Sequence, residues 1–289
     1  MSNIFQILKQ YSTSVNADEV TESLKDILAQ SHDLFTFENL KLLYSIIDLT
    51  SLSISDNEGK IKAICSRINE FGHLYPDYPN VAGLCVFPPY VGCAVHNIKV
   101  PGVRIVSASG NFPMGQTFFG IKEQELKMSI SAGAREIDVI MPVGGFLEGN
   151  FNAVFSEILK LKNIAGRSKL KVILETGALK NPESIKTASI IAMEAGADFI
   201  KTSTGKLEPA ATNEAVYIMV KTIREYYLKT GIKVGIKPAG GITTVDKALN
   251  YVAIVKQILG DSWLTPEYFR IGASSLANNV LEGLIKFKV

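Results

Sequence analysis

The sequence predicts a single-domain α/β protein, a closed (β/α)8 barrel carrying an added helical segment at its amino terminus. Three observations point there. Eight short runs rich in β-branched and apolar residues are each followed by a helical pattern or a loop. Strand–helix alternation at this spacing implies parallel strands joined by right-handed crossovers, and eight such units in roughly 240 residues suit a closed barrel. No Ser/Gly/Pro-rich linker divides the 289 residues, and no repeat longer than the βα unit is present, so one domain is expected.

The elements follow in order. From Ile4 to about Leu43 the pattern is helical, with Ile4, Leu8, Val20, Leu24, Ile27 and Leu28 on apolar faces and Asp18 or Thr21 as candidate caps. Residues 1–43 are therefore expected to cover one end of the core or to form a subunit contact, and 44–289 to form the barrel. The predicted strands are Tyr44 to Leu49, Val81 to Phe87, Arg104 to Ala108, Glu136 to Met141, Lys171 to Glu175, Phe199 to Thr202, Lys233 to Lys237 and Tyr268 to Gly272. Helical patterns lie between them at Glu123 to Ala132, Phe151 to Ile164, Pro182 to Ala195, Asn213 to Leu228 and Val245 to Leu259. In such barrels chemistry sits at the carboxyl ends of the strands.

Composition narrows the partners. An apolar content of 47% with 20% charged residues supports a sizeable core, and a net charge of +2 without a basic block gives no footprint for nucleic acid or an acidic membrane. Small molecules are the expected partners. Cys65, Cys85 and Cys93 form no CxxC pair and are odd in number, which argues for a reducing, cytoplasmic location. His32, His73 and His96 lie in no ligand spacing, so neither a metal nor another cofactor is expected. The stretch Met1 to Gln10 lacks a signal-type apolar run, and no segment reaches the ~18 apolar residues of a membrane span. A homo-oligomer is left open.

The chemistry points to Asp198-Phe-Ile-Lys-Thr-Ser-Thr-Gly-Lys206, where an apolar run ends in Lys201 and opens into a polar loop. A lysine there sits at the end of a buried strand, where burial and a second cation both disfavour the ammonium form. Val234-Gly-Ile-Lys237-Pro-Ala-Gly-Gly241 supplies that cation if the two runs are neighbouring strands. An unperturbed lysine is less than ~0.1% free amine at pH 7, so its surroundings must activate it as a nucleophile toward carbonyls. Taken locally, Lys201 is either such a nucleophile or a lysine that snorkels out of the barrel mouth or binds phosphate. Lys237 is its perturber or an anion-binding residue, and these roles are compatible. Alternation puts Glu136 and Asp138 on one inward face, with Asp138 at the far end of its strand. Cys85, on a buried strand, reads as a small apolar residue.

FIKTSTGK and GIKPAGG, with Glu136-Ile-Asp-Val139 before them and Ile271-Gly-Ala-Ser-Ser275 after, resemble the deoxyribose-phosphate aldolase family, in the same chain order from about Ile47 to about Leu284. The resemblance implies a (β/α)8 barrel and a Schiff-base aldolase needing no metal. Its reaction is the reversible cleavage of 2-deoxy-D-ribose 5-phosphate to D-glyceraldehyde 3-phosphate and acetaldehyde. It further implies that Lys201 forms the Schiff base and that Asp138 transfers protons alongside both lysines, the alternative for Asp138 being a plain ion pair. Asp48 and Cys85 would line the site. Thr204, Gly205 and Lys206, then Gly240, Gly241 and Thr243, then Gly272, Ser274 and Ser275 would meet substrate and its phosphate.

Two departures stand out. Relatives often carry an arginine where this chain has Thr243, so a weaker phosphate grip is expected. Many also end in a tyrosine that helps protonate the enamine, whereas this chain ends Ile285-Lys-Phe-Lys-Val289. Phe287 transfers no proton, so slower or water-dependent protonation is expected. Two other readings remain: a Schiff-base aldolase for another sugar phosphate or an unphosphorylated aldehyde, and a barrel that binds a phosphorylated ligand without catalysis.

Overall fold

Capping chemistry sets the helix starts. In the computed structural model, which describes residues 3–179 and 181–287, Asn16, Asn57, Asn181, Thr212 and Thr244 each accept a hydrogen bond from a backbone N–H in the turn that follows. Each bond satisfies a donor that a helix start otherwise leaves unpaired. Three helices precede the first strand, namely α1 (Ile4–Leu8), α2 (Ala17–Ala29) and α3 (Phe37–Ser45). Asn16 caps α2, because its amide oxygen reaches the N–H groups of Asp18 and Glu19 at 3.1 and 3.3 Å. Asp18 therefore lies in the first turn, and the Thr21 hydroxyl donates to the Ala17 carbonyl instead, so neither expected cap holds.

The first strand starts later than predicted. Tyr44 belongs to α3, its ring stacked on Phe71 with centroids 4.4 Å apart, and β1 spans Ile47–Thr50. Then come α4 (Glu58–Leu74), β2 (Gly83–Val86), α5 (Val91–Asn97), β3 (Arg104–Ala108), α6 (Phe119–Ser131), β4 (Glu136–Ile140), α7 (Val143–Leu147), α8 (Phe151–Ala165) and β5 (Lys169–Ile173). The remainder is α9 (Pro182–Glu194), β6 (Phe199–Lys201), α10 (Asn213–Thr230), β7 (Gly235–Lys237), α11 (Val245–Leu259), β8 (Ile271–Ala273) and α12 (Leu276–Lys286). β3 has its predicted limits. β5 ends at Ile173, two residues short of Glu175, whose φ of 54° is incompatible with a strand.

All eight strands are parallel, in the order β7-β6-β5-β4-β3-β2-β1-β8. Bridges from Ile236 to Phe269 and from Ala239 to Gly272 join β7 to β8 and close the ring. Alternation then sorts the side chains. Leu84, Ile137, Val139, Leu170, Val172, Ile200 and Ile236 face the helices and form the main core with them. The opposite phase fills the barrel: Cys85, Val106, Ala108, Ile140 and Ile173 form a second apolar cluster, beside a layer of charged residues. Glycines on that inward phase make room for the charges. A Cβ on Gly83 would lie 2.9 Å from an Asp48 carboxylate oxygen, and one on Gly272 would lie 3.2 Å from Lys237 Cε.

The leading helices pack on the outside of this barrel. The Ile4 N–H donates to the Asn152 side chain, the Tyr11 hydroxyl donates to Glu194, and Lys221 pairs with Glu19 at 2.5 Å. Phe35 and Phe37 meet Phe287 after α12, with ring centroids 5.8 and 6.2 Å away. Lys288 and Val289, where many relatives carry the terminal tyrosine, lie outside the described residues, as do Met1, Ser2 and Lys180. Among the described residues no helix is long and apolar enough to cross a membrane.

Candidate active site

β6 and β7 each end in a lysine, and the sheet register sets Lys201 directly beside Lys237. Both side chains turn into the barrel, where each Nζ lies 2.8 Å from the same oxygen, Oδ2 of Asp138. The two cations are thus neighbours, with a carboxylate between them that lysine repulsion alone does not include. Asp138 occupies the middle of β4, not its far end, because Val139 and Ile140 continue the strand against Val172 and Ile173.

Further ionic side chains complete a buried network. Lys237 Nζ is also 2.6 Å from Asp48 Oδ2. Lys171 Nζ reaches Glu136 at 2.5 Å, Asp138 at 3.1 Å and Asp48 at 3.6 Å. Arg270 joins Asp48 at 2.5 Å to Glu136 at 2.8 Å. Three carboxylates therefore face four cations in this cluster. Sequence reasoning missed Lys171 and Arg270. Their signal was their phase: Lys171 registers beside Asp138, and Arg270 stands two residues before the inward Gly272.

Burial is the largest influence on Asp48, Glu136, Asp138, Lys171, Lys237 and Arg270 and favours the neutral form, yet ion pairing outweighs it. Lys171, Lys201 and Lys237 hold Asp138 well below the usual carboxylate range. Lys237, Arg270 and Lys171 lower Asp48, while Lys171 and Arg270 lower Glu136. In return, Asp138 and Asp48 hold the Lys237 ammonium above the ordinary lysine range, and Asp138, Glu136 and Asp48 do the same for Lys171. Lys237 is therefore a permanent cation at neutral pH.

Above the network opens a cavity of about 700 Å³. Lys201, 3% exposed, is the member of the charged cluster that lines it. Thr204, Gly205, Lys206, Gly240, Gly241, Thr243, Gly272 and Ser274 also line it. Lys237, Asp138 and Asp48 lie beneath the lining. Cys85 is also outside it, in the inner apolar cluster, with its thiol pushed up to about 11, first by burial and then by Asp138. Ser275 does not line the cavity either; it takes the position ahead of α12. The Phe112 ring, in the same apolar cluster as Cys85, lies 5.7 Å from Lys201 Nζ.

The loops are tied at two points. Glu175, buried and at positive φ, accepts from the Thr204 hydroxyl at 2.6 Å and from its N–H at 3.2 Å, fixing the turn after β6. Lys206 Nζ donates across the mouth to the Leu52 carbonyl at 2.8 Å. The opposite wall carries Ser51, Ser53, Lys60 and Arg67, none of which stood out in the sequence.

Comparison with known proteins identifies a family and relatives. A family described as DeoC/LacD family aldolase matches residues 95–281. The chain is 39% identical to the deoxyribose-phosphate aldolase of Mus musculus and 38% identical to that of Homo sapiens, each over 246 residues covering 82% of this chain and 77% of the relative. Among solved structures, QR15, an aldolase, superposes with a TM-score of 0.69 at 26% identity, covering 85% of this chain and 97% of that one. The deoxyribose phosphate aldolase of Aeropyrum pernix, described as a tetramer, gives a TM-score of 0.66 at 26% identity over 91% of this chain and 97% of that one.

Proposed function

The chain belongs to the DeoC/LacD family of aldolases, and on that premise we propose that it splits 2-deoxy-D-ribose 5-phosphate reversibly through a Schiff base on Lys201. The products are D-glyceraldehyde 3-phosphate and acetaldehyde. One observation carries the assignment of the lysine: Lys201 lines the cavity, while its Nζ rests on a carboxylate already held by a second, permanently charged ammonium.

Charge balance supports the chemistry. Four cations face three carboxylates, so when Lys201 gives up a proton the buried cluster is left neutral. Unpaired buried charge is costly, and here the free amine removes it. The amine attacks C1 of the open-chain sugar, the carbonyl oxygen takes up protons and leaves as water, and an iminium remains. The C3 hydroxyl then loses its proton and the C2–C3 bond breaks. Glyceraldehyde 3-phosphate departs, and the bonding pair stays on the lysine adduct as an enamine. Protonation at C2 followed by addition of water releases acetaldehyde and restores Lys201. The proton shed by Lys201 leaves the cluster through water in the cavity, while Asp138, ionised and lying below the lining, holds the amine and exchanges protons with substrate through water. Lys237 keeps Asp138 ionised. With its thiol neutral, Cys85 packs in the apolar cluster beneath the cavity instead of attacking.

Incubation with 2-deoxy-D-ribose 5-phosphate, with both aldehydes quantified, tests this activity: equal amounts of the two products are expected, and their absence would overturn it. Thr243 at the cavity wall favours a second reading, in which an unphosphorylated or different sugar is preferred. A higher kcat/KM for plain 2-deoxyribose than for its phosphate would select it. Action in the cytoplasm as a homo-oligomer belongs to the same proposal, in keeping with the unpaired Cys65, Cys85 and Cys93 and with the tetrameric relative.

A further inference from the structure

The cavity contains more positive charge than catalysis uses. Besides Lys201 it is lined by Lys60, Arg67 and Lys206. Lys60 and Arg67 stand on one stripe of α4 with Ile64 between them, the spacing that places residues on a common helix face. That stripe looks across the cavity at the loops after β6 and β7, which carry Gly205 and Thr243.

The three cations are not equivalent. The Lys60 ammonium sits 2.5 Å from Asp56, whose carboxylate is buried, so its charge is matched. Lys206 donates to the neutral carbonyl of Leu52, so no carboxylate cancels its charge. The Arg67 guanidinium has no side-chain hydrogen bond, ion pair or ring contact among the described residues. An arginine left without a partner on the wall of this cavity has all its donors available to a ligand. Its planar fork matches two oxygens of a phosphate, which a lysine meets only as a point charge.

We propose that Arg67 binds the substrate's phosphate, supplying from α4 the guanidinium that the turn holding Thr243 lacks. The proposal rests on the phosphorylated-substrate reading above. Lys206 and Arg67 then close on the phosphate from opposite walls, and the weaker grip expected from Thr243 is offset by a residue on a different element.

The test compares wild type, Arg67→Ala and Arg67→Lys in two measurements. The first is the ratio of kcat/KM for 2-deoxyribose 5-phosphate to that for 2-deoxyribose. One charge-assisted, bidentate contact corresponds to a fall in this ratio of about ten- to a hundredfold in Arg67→Ala, carried by KM for the phosphorylated sugar, with Arg67→Lys between. The second is calorimetric titration with inorganic phosphate, in which Kd should rise by a comparable factor in Arg67→Ala. An unchanged ratio and an unchanged phosphate Kd would overturn the assignment, as would an equal loss on both sugars. The titration stands whether or not the wild type turns over: a wild type that cleaves neither sugar refutes the activity, whereas an indifferent Kd refutes Arg67.

Discussion

Replacing Lys237 by methionine separates the electrostatic role of that residue from simple packing. Methionine fills a similar volume but removes the Nζ that lies 2.6 Å from Asp48 and 2.8 Å from Asp138, all three groups being fully buried. Breaking a buried pair by deleting one partner costs about 3–5 kcal/mol, or roughly 10 °C in Tm for a chain of this size. The kinetic consequence is more specific. Without Lys237 three cations face three carboxylates, so the Lys201 ammonium becomes the charge that balances the cluster. If about 3 kcal/mol of that balance is withdrawn from the free-amine form that attacks substrate, the rate at pH 7 falls by about a hundredfold. The assay is cleavage of 2-deoxy-D-ribose 5-phosphate from pH 5 to pH 10, alongside thermal unfolding. Part of the loss should return at high pH. A loss uniform across that pH range, or no loss at all, would refute the charge-balance reasoning.

Lys201→Ala should abolish turnover while lowering Tm less than Lys237→Met, since among the described residues Lys201 pairs with Asp138 alone whereas Lys237 pairs with both Asp48 and Asp138; a larger fall than in Lys237→Met would contradict that ranking. Stability against urea should form a plateau. Asp48, Glu136 and Asp138 are held below the usual carboxylate range, so their contribution is complete above about pH 5 and is lost as pH falls. Lys171 and Lys237 are held above the usual lysine range, so theirs is complete below about pH 10 and is lost as pH rises further. A sharp stability maximum near neutrality would count against this network. Gly240→Ala places a Cβ at φ +90°, 2.6 Å from Ala210 Cβ and 3.0 Å from Gly205 Cα, so a loss of about 1–3 kcal/mol is expected with a raised KM. Unchanged unfolding and KM would show that the loop relaxes freely.

The sequence made the two lysines legible because a charge ending an apolar run has few structural excuses. Alternation likewise exposed Glu136 and Asp138 as an inward pair. Other features depend on closure of the ring. Arg270 meets Asp48 across 222 residues of chain, a contact created by the pairing of β1 with β8. No local pattern announces such a partner. Lys171 opened a predicted strand and looked like an end residue, until the register placed it opposite Asp138 with Lys169 and Leu170 still ahead of it in the strand. The position of Asp138 was misjudged for a related reason: apolar residues beyond it continue the strand without any turn signal. Boundaries slipped where two residues compete for one task, as with Asn16 and Asp18 at the start of α2. Arg67 was hidden because a charge on the exposed side of a helix resembles any other until the cavity it borders is known.

Reduction with borohydride in the presence of acetaldehyde, followed by peptide mass mapping, tests the central claim most directly. A single ethyl adduct on Lys201, formed at neutral pH and absent from Lys201→Ala, is the predicted result. An adduct confined to Lys206 or Lys237, or none under turnover conditions, would contradict the assignment of Lys201 as the Schiff-base lysine.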